Sequence, residues 1–393
     1  MALSTVGSAL SFYIHIPYCI KRCGYCDFNT YTPAELKIES TLTQISHDYI
    51  DLMIEEIEMA RRACVVGDSA TMTNVPSIFF GGGTPTLMEP EDLARVIQAI
   101  EANFGLTADC EITMEANPDT VTAERLDGYR IAGFNRLSIG MQSAVPHVLQ
   151  TLDRTHNPEN VERTVAWARG AGFEEISLDL IYGTPGESLA DWQQSIDSAL
   201  ALDITHISAY ALIVEQGTKL SAQVRRGEVA MPDDDETADK YIIADESFRA
   251  AGFTWYEISN WAKPGSECRH NLSYWQGANW WGVGPGAHSH LDGRRWWNVK
   301  HPTAYRERIM AKVAPMQEQE LLSAAERARE EIMLLIRLPS ALQLELLSDG
   351  QRELLTTFLM QGYLDQSSWD AGSITLTQSG RLIADRIVRE ITL

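Results

Sequence analysis

The 393-residue sequence predicts an α/β protein, an incomplete (β/α)6 barrel carrying a mostly helical, winged-helix-like C-terminal domain. Three observations predict it. Short β-rich runs alternate with longer stretches whose apolar residues recur at three- and four-residue spacing, the pattern of parallel strands joined by helical crossovers. Polar or glycine-rich segments follow those runs, where α/β barrels gather their binding groups. Near the C-terminus the alternation gives way to helical patterns. Six units are expected to leave a barrel incomplete, since eight close one.

The expected strands are Phe12 to Ile16, Ser77 to Phe80, Glu111 to Glu115, Arg136 to Gly140, Ile176 to Tyr182 and His206 to Leu212. Between them fall helical stretches, Tyr49 to Arg62, Glu91 to Asn103, Ala123 to Ala132, Pro158 to Ala171 and Leu189 to Leu200, with Glu236 to Ala251 after the last strand. The acidic run Asp233 to Glu236, following Pro232, reads as a solvated helix start.

The loop after the first strand carries Cys19, Cys23 and Cys26, separated by three and then two residues. Three thiolates on one loop suit three corners of a cubane iron–sulfur cluster, leaving the fourth iron open to a small molecule; clusters used only for electron transfer take four protein ligands. Structural zinc needs four closed ligands, and no second Cys/His pair lies nearby, although His15 stands on the incoming strand. The remaining cysteines, Cys64, Cys110 and Cys268, are scattered, which argues against disulfides and for a reduced, cytoplasmic chain. No apolar signal segment or membrane-spanning run is apparent.

The other strand ends hold Gly81-Gly82-Gly83-Thr84-Pro85-Thr86, Glu115-Ala116-Asn117-Pro118, Gln142, Arg154 and Asp179 ahead of Gly183-Thr184-Pro185-Gly186. Consecutive glycines admit a ligand close to the backbone. Glu115 and Asp179 suit ribose hydroxyls or an ammonium group, and Arg154 a carboxylate. Taken alone, the glycines are a tight turn and Asp179 a paired interior charge; together on one rim they point to a ligand. With 54 acidic against 32 basic residues, the chain is expected to repel a phosphate backbone, so no nucleic-acid partner is expected.

These blocks, with Tyr13-Ile14-His15-Ile16-Pro17 before the cysteines and Ser138-Ile139-Gly140-Met141-Gln142-Ser143, closely resemble the radical S-adenosylmethionine (SAM) enzymes. More narrowly they resemble the branch that holds oxygen-independent coproporphyrinogen oxidases and the HemW-type heme chaperones. The resemblance implies a [4Fe–4S] cluster on Cys19, Cys23 and Cys26, with SAM chelating the open iron and contacted by Tyr13, Tyr25, Gly82, Gly83, Thr84, Glu115, Gln142, Arg154, Asp179 and Ala211. In such enzymes one electron cleaves the sulfonium, giving methionine and a 5′-deoxyadenosyl radical; the protein supplies orientation and exclusion of water. An electron donor such as flavodoxin or ferredoxin is implied.

Two departures separate the relatives. The oxidases place a further cysteine two residues after the third, where this chain has Phe28, and they carry a longer N-terminal segment. His270-Asn271-Leu272-Ser273-Tyr274-Trp275 matches the H-N-x-x-Y-W motif of the chaperone side, which the resemblance associates with heme through His270, Asn271, Tyr274 and Trp275. Independently, seven of ten tryptophans (Trp255, Trp261, Trp275, Trp280, Trp281, Trp296 and Trp297) crowd together with His270, His288 and His290. Aromatic walls and a histidine suit a flat macrocycle; the plainer alternative is a tryptophan-rich core with His270 merely hydrogen-bonded.

Domain organisation reads as residues 1–230 for the barrel, 231–315 for an extension bearing the motif, and 316–393 for the C-terminal domain. In the last, helices are expected from Leu321 to Leu338, Leu342 to Gly350 and Arg352 to Gln361, then strand-like runs Gly362 to Asp365 and Ser373 to Thr377, and a closing helix Ser379 to Ile391. This domain is expected to cover the barrel or meet a partner. The leading expectation is a heme chaperone that delivers heme to an acceptor protein, with membrane association only through that acceptor. The competing expectations are oxidative decarboxylation of coproporphyrinogen III and a radical SAM enzyme of another substrate.

Overall fold

The computed structural model describes residues 9–36, 42–64, 74–154, 156–231 and 233–392, so Thr155, Pro232 and the first eight residues lie outside it. Six strands run parallel in chain order: β1 (Leu10–Ile16), β2 (Val75–Gly82), β3 (Leu106–Ala116), β4 (Arg136–Gln142), β5 (Glu175–Tyr182) and β6 (His206–Ala211). Crossover helices Leu42–Cys64, Pro90–Phe104, Ala123–Ala132, Pro158–Gly170 and Leu189–Leu200 join them. Local chemistry starts these helices where the sequence permits: Pro90 and Pro158 stand at first helical positions, and Ser188 and Asp191 form a reciprocal capping box.

Strand alternation sorts the side chains into two faces. Phe12, Ile14, Ile78, Phe80, Ile112, Met114, Leu137, Ile139, Leu178 and Leu180 are buried in the main hydrophobic core, which also takes in residues of the surrounding helices. The alternate positions are polar or small, and register aligns them in rows: Glu115 beside Ser138, Ser138 beside Ser177, Ser177 beside His206, and Gly140 beside Asp179 beside Ser208. Where a typical barrel packs its interior with branched apolar residues, this one encloses hydrogen-bonding groups.

All six expected strands form, and the sheet continues beyond them. It holds twelve strands among the described residues, in the order β12-β11-β10-β9-β1-β2-β3-β4-β5-β6-β8-β7. Past β6 lie the antiparallel β7 (Thr254–Glu257) and β8 (Asn260–Ala262). On the other side β1 pairs in parallel with β9 (Asn279–Val283), followed by the antiparallel β10 (His288–Leu291), β11 (Arg294–Asn298) and β12 (Met316–Leu321). Runs of three to six residues give period two little room to register, which is why these strands escaped the sequence pattern.

The C-terminal region is helical, with segments Ala324–Leu335, Asp349–Met360, Gln366–Asp370, Gln378–Leu382 and Ala384–Thr392. Three expectations are corrected. Leu342 to Gly350 is not a helix: a 3-10 turn occupies Leu344–Leu346, and a capping box of Ser348 and Gln351 starts a new helix at Asp349. The closing helix breaks at Ile383, whose φ of −117° departs from helical geometry. The strand-like runs form no strand, making isolated bridges between Leu364 and Leu376 and between Ser373 and Gln343. A second core of Ile332, Ile336, Leu355, Phe358, Ile374 and Ile387 holds this region together. Arg381 ties it to the sheet domain through paired hydrogen bonds to Asp245 at 2.9 and 2.7 Å, with its guanidinium over Trp255. No described helix is long and apolar enough to cross a membrane.

Candidate functional site

A cavity of about 630 Å³ opens at the C-terminal ends of the parallel strands and extends down the polar interior. Cys19, Cys23 and Cys26 line its mouth, all three as free thiols. Their loop is laced to the body by backbone bonds: Cys19 N–H to Tyr31 O, Tyr31 N–H to Pro17 O, Gly24 N–H to Leu152 O and Leu220 N–H to Gly24 O. Lys21 and Lys219 clamp Asp153 from two sides, each at 2.8 Å. The loop is therefore pinned at both ends, and its sulfurs are positioned by the fold.

Two side chains already address those sulfurs. Thr84 donates to Cys19 Sγ at 3.6 Å, and Arg154 Nη1 donates to Cys23 Sγ at 3.4 Å while Nη2 holds Gly140 O at 3.0 Å. Burial pushes the Cys19 thiol up to about 11, against the Thr84 bond that favours the thiolate. Burial also raises Cys26. Thiols that resist ionisation as they stand, but face a guanidinium and a hydroxyl donor, fit a cationic iron cluster that would bind them as thiolates.

Deeper in, two carboxylates face each other. Ser138 donates to both oxygens of Asp179 at 2.9 Å, and Glu115 accepts the Gly82 N–H at 3.0 Å. Burial, then the charge of Asp179, lifts Glu115 to about 7; burial raises Asp179 as well. Neither carboxylate forms an ion pair among the described residues, although the charge of Arg136 opposes the effect of burial on Asp179. Arg154 Nε is buried without a partner and thus lacks an anion at one nitrogen. Complementary groups bordering one cavity fit a zwitterionic amino-acid ligand, its ammonium and carboxylate being suitable partners. Gly82 lies at φ 107°, where an added Cβ would strike the His15 ring at 2.5 Å, so glycine is required for the backbone to border the cavity here. Gln142 sits at φ 61°, a strained position for a non-glycine residue that ends β4 and turns it toward the site.

Tyr13, Tyr25, Gly82, Gly83, Thr84, Glu115, Gln142, Arg154, Asp179 and Ala211, the positions expected at SAM, all border this one cavity. Its inner wall is the helix Arg269–Trp275, through His270, Asn271 and Tyr274; Trp275 points elsewhere, under the Arg337 guanidinium. His270 is 1% exposed, and both ring nitrogens are engaged, Nδ1 with Ser77 Oγ at 2.9 Å and Nε2 with Tyr274 Oη at 2.8 Å. Burial holds its pKa down to about 3. The Glu111 carboxylate accepts the backbone N–H groups of both Arg269 and His270, capping the helix. Sequence reasoning missed Phe79, Thr113, Arg136, Ser177, His206 and Ser208, which also border the cavity. Period-two counting within the strands would have found them, since each occupies an inward position.

A three-cysteine loop above the strand ends of a parallel sheet, facing paired carboxylates and an arginine, defines a radical SAM protein, and residues 13–199 match the family model described as the radical SAM superfamily. The chain is 44% identical over 386 residues to the heme chaperone HemW of Mycobacterium tuberculosis, covering 98% of this chain and 95% of that one. It is 35% identical to the heme chaperone HemW of Bacillus subtilis, covering 83% of each. The chain belongs to the HemW family of radical SAM proteins. Its fold matches that of Escherichia coli coproporphyrinogen III oxidase with a TM-score of 0.80 at 22% identity, over 98% of this chain and 90% of that one.

Proposed function

We propose that this protein is a heme chaperone, binding heme beside a radical SAM site and passing it to an acceptor protein. The observation that carries the reading is the continuous cavity that joins the three thiols to the aromatic wall at Tyr274, in a chain whose relatives are named heme chaperones. Cys19, Cys23 and Cys26 would hold three irons of a [4Fe–4S] cluster. Glu115 and Asp179 would take the ammonium or ribose hydroxyls of SAM, and Arg154 its carboxylate. When bound, cluster and SAM supply one-electron cleavage of the sulfonium. Arg154 and Thr84 orient the thiolates, Tyr25 and the glycine run shape the wall, and the inward serines keep Asp179 fixed. Phe28, exposed at the mouth, stands where the oxidases carry a further cysteine.

His270, Asn271 and Tyr274 form the cavity wall nearest the tryptophans, so heme is proposed to lie on that side. The electron donor is proposed to be a flavodoxin or ferredoxin and the working compartment the cytoplasm. The C-terminal helical domain is proposed to meet the acceptor. Anaerobic reconstitution followed by heme titration and product analysis in one preparation tests the reading. Saturable heme binding without decarboxylation of coproporphyrinogen is expected; conversion of coproporphyrinogen to protoporphyrinogen with no heme binding overturns it.

A further inference from the structure

The family motif draws attention to His270, yet neither of its nitrogens is available to a metal. His15, His206 and His290 are likewise engaged at both ring nitrogens. His47 and His147 face Asp92 and Asp191, His301 accepts the Thr303 N–H at the start of a helix, and His156 is buried. Of the nine histidines, His288 alone offers an exposed ring with neither nitrogen bonded among the described residues.

Its position follows from register. Tyr13 borders the cavity, and alternation puts Ser11 on the same face of β1. Ser11 pairs with Trp280 on β9, Trp280 with His290 on β10, and His288 stands two residues before His290, hence on the same face. His288 pairs in turn with Trp297 on β11, their rings stacked at 5.6 Å and 24°. Tyr274, from the cavity wall, packs edge-on against Trp280 at 4.8 Å. Between Tyr13 and β10 lies Gly282, which adds no side chain. Trp280, His288 and Trp297, all at least partly exposed, thus form an aromatic shelf continuing the cavity face outward past β1. The partners on the opposite face, Trp281 and Trp296, are buried against each other.

We propose that heme lies on this shelf with His288 as the protein ligand to its iron, flanked by Trp280 and Trp297, while His270 is a positioning residue that holds Tyr274 and the inner wall in place. The assignment rests on the heme-chaperone reading above. A flat macrocycle gains most from broad aromatic faces, and iron requires an imidazole lone pair. Burial, then the charge of Lys300, lowers the His288 pKa, which keeps that lone pair free at neutral pH. Lys300 is exposed and has no salt-bridge partner among the described residues, so it supplies a cation beside His288 for a propionate.

The test is hemin titration of the full-length, anaerobically reconstituted protein, read from the Soret band, with metal-free protoporphyrin IX titrated in parallel by tryptophan quenching. His288→Ala is expected to weaken hemin binding at least tenfold and abolish the histidine-ligated Soret position, while metal-free porphyrin binds as to the wild type. Imidazole added to His288→Gly is expected to restore the ligated spectrum. His270→Gln is expected to keep the wild-type Soret position. A His288→Ala protein with unchanged spectrum and affinity overturns the assignment. So does a His270→Gln protein that still binds metal-free porphyrin but loses the hemin spectrum. If the wild type shows no saturable hemin binding, the chaperone reading itself falls and this assignment with it.

Discussion

The two ends of the cavity are built on opposite principles. At the mouth, groups are left short of partners: Arg154 Nε is unpaired, and Glu115 and Asp179 form no ion pair among the described residues. Around the motif helix at the closed end the prominent groups are matched, with His270 bonded at both nitrogens, His206 held between Ser177 and Tyr256, and Glu111 capping the helix beneath; Arg136 Nη2 and Thr113 Oγ1 are the exceptions. Unmet hydrogen-bonding capacity in a buried place is costly unless a ligand supplies it. The mouth is thus organised for an incoming group, and the closed end for rigidity.

Cys23→Ala is the largest test of that contrast. It is expected to abolish the cluster, so that iron and sulfide content after reconstitution falls to near zero; a full cluster complement in this variant breaks the comparison at its mouth. His270→Ala addresses the closed end. Losing a packed ring and orphaning Ser77 and Tyr274 is expected to cost about 2–4 kcal/mol in chemical denaturation of the apoprotein, and a loss below about 1 kcal/mol would mean that the closed end is not a fastener. For Arg154→Ala, equilibrium binding of SAM should weaken about 10- to 100-fold, the scale of one charge-assisted hydrogen bond.

A pH series sharpens the contrast further. Because the folded Glu115 carboxyl is raised to about 7 by burial and then by Asp179, the folded state keeps a proton that the unfolded chain releases. Stability of the apoprotein from this group is present below the ordinary carboxylate range and is lost as pH rises through about 7. Glu56 and Glu257, lifted by burial to about 7, act with the same sign. Glu115→Gln should flatten the decline between pH 5 and 8 by about 1–2 kcal/mol; an unchanged slope would show that Glu115 has a partner at neutral pH. The smallest effect is expected from Phe28→Ser. This ring is 61% exposed, and stability should stay within about 0.5 kcal/mol of the parent by thermal denaturation.

Much of the mouth was legible in the sequence because its residues sit at strand ends, where glycines, prolines and charges interrupt apolar runs. Gly82 and Glu115 announce themselves by that break in pattern, and Asp179 as a lone charge within the apolar run of β5. Arg136 and His206 open their strands at the end away from the loops that carry the recognisable motifs, and their shared wall exists only once register is known. The edge strands were hidden for another reason. Asn279–Val283 and Arg294–Asn298 are short and tryptophan-rich, and the place of the first beside β1 is set by pairing across more than half the chain. His270 was conspicuous as a motif, but only its two hydrogen bonds reveal a fastener.

The parallel pairing of β1 with β9 sets an order of events during synthesis. The cysteine loop leaves the ribosome early, yet the strand that flanks β1 on its outer side ends at Val283. At about 5–20 residues per second, roughly 13 to 50 s separate Cys26 from Val283. Throughout that interval β1 has an unpaired edge, and the nascent thiols stand on a wall with only one neighbour. Iron–sulfur assembly on this chain is therefore best timed late in translation or after it, when β9 has closed off the outer edge of β1.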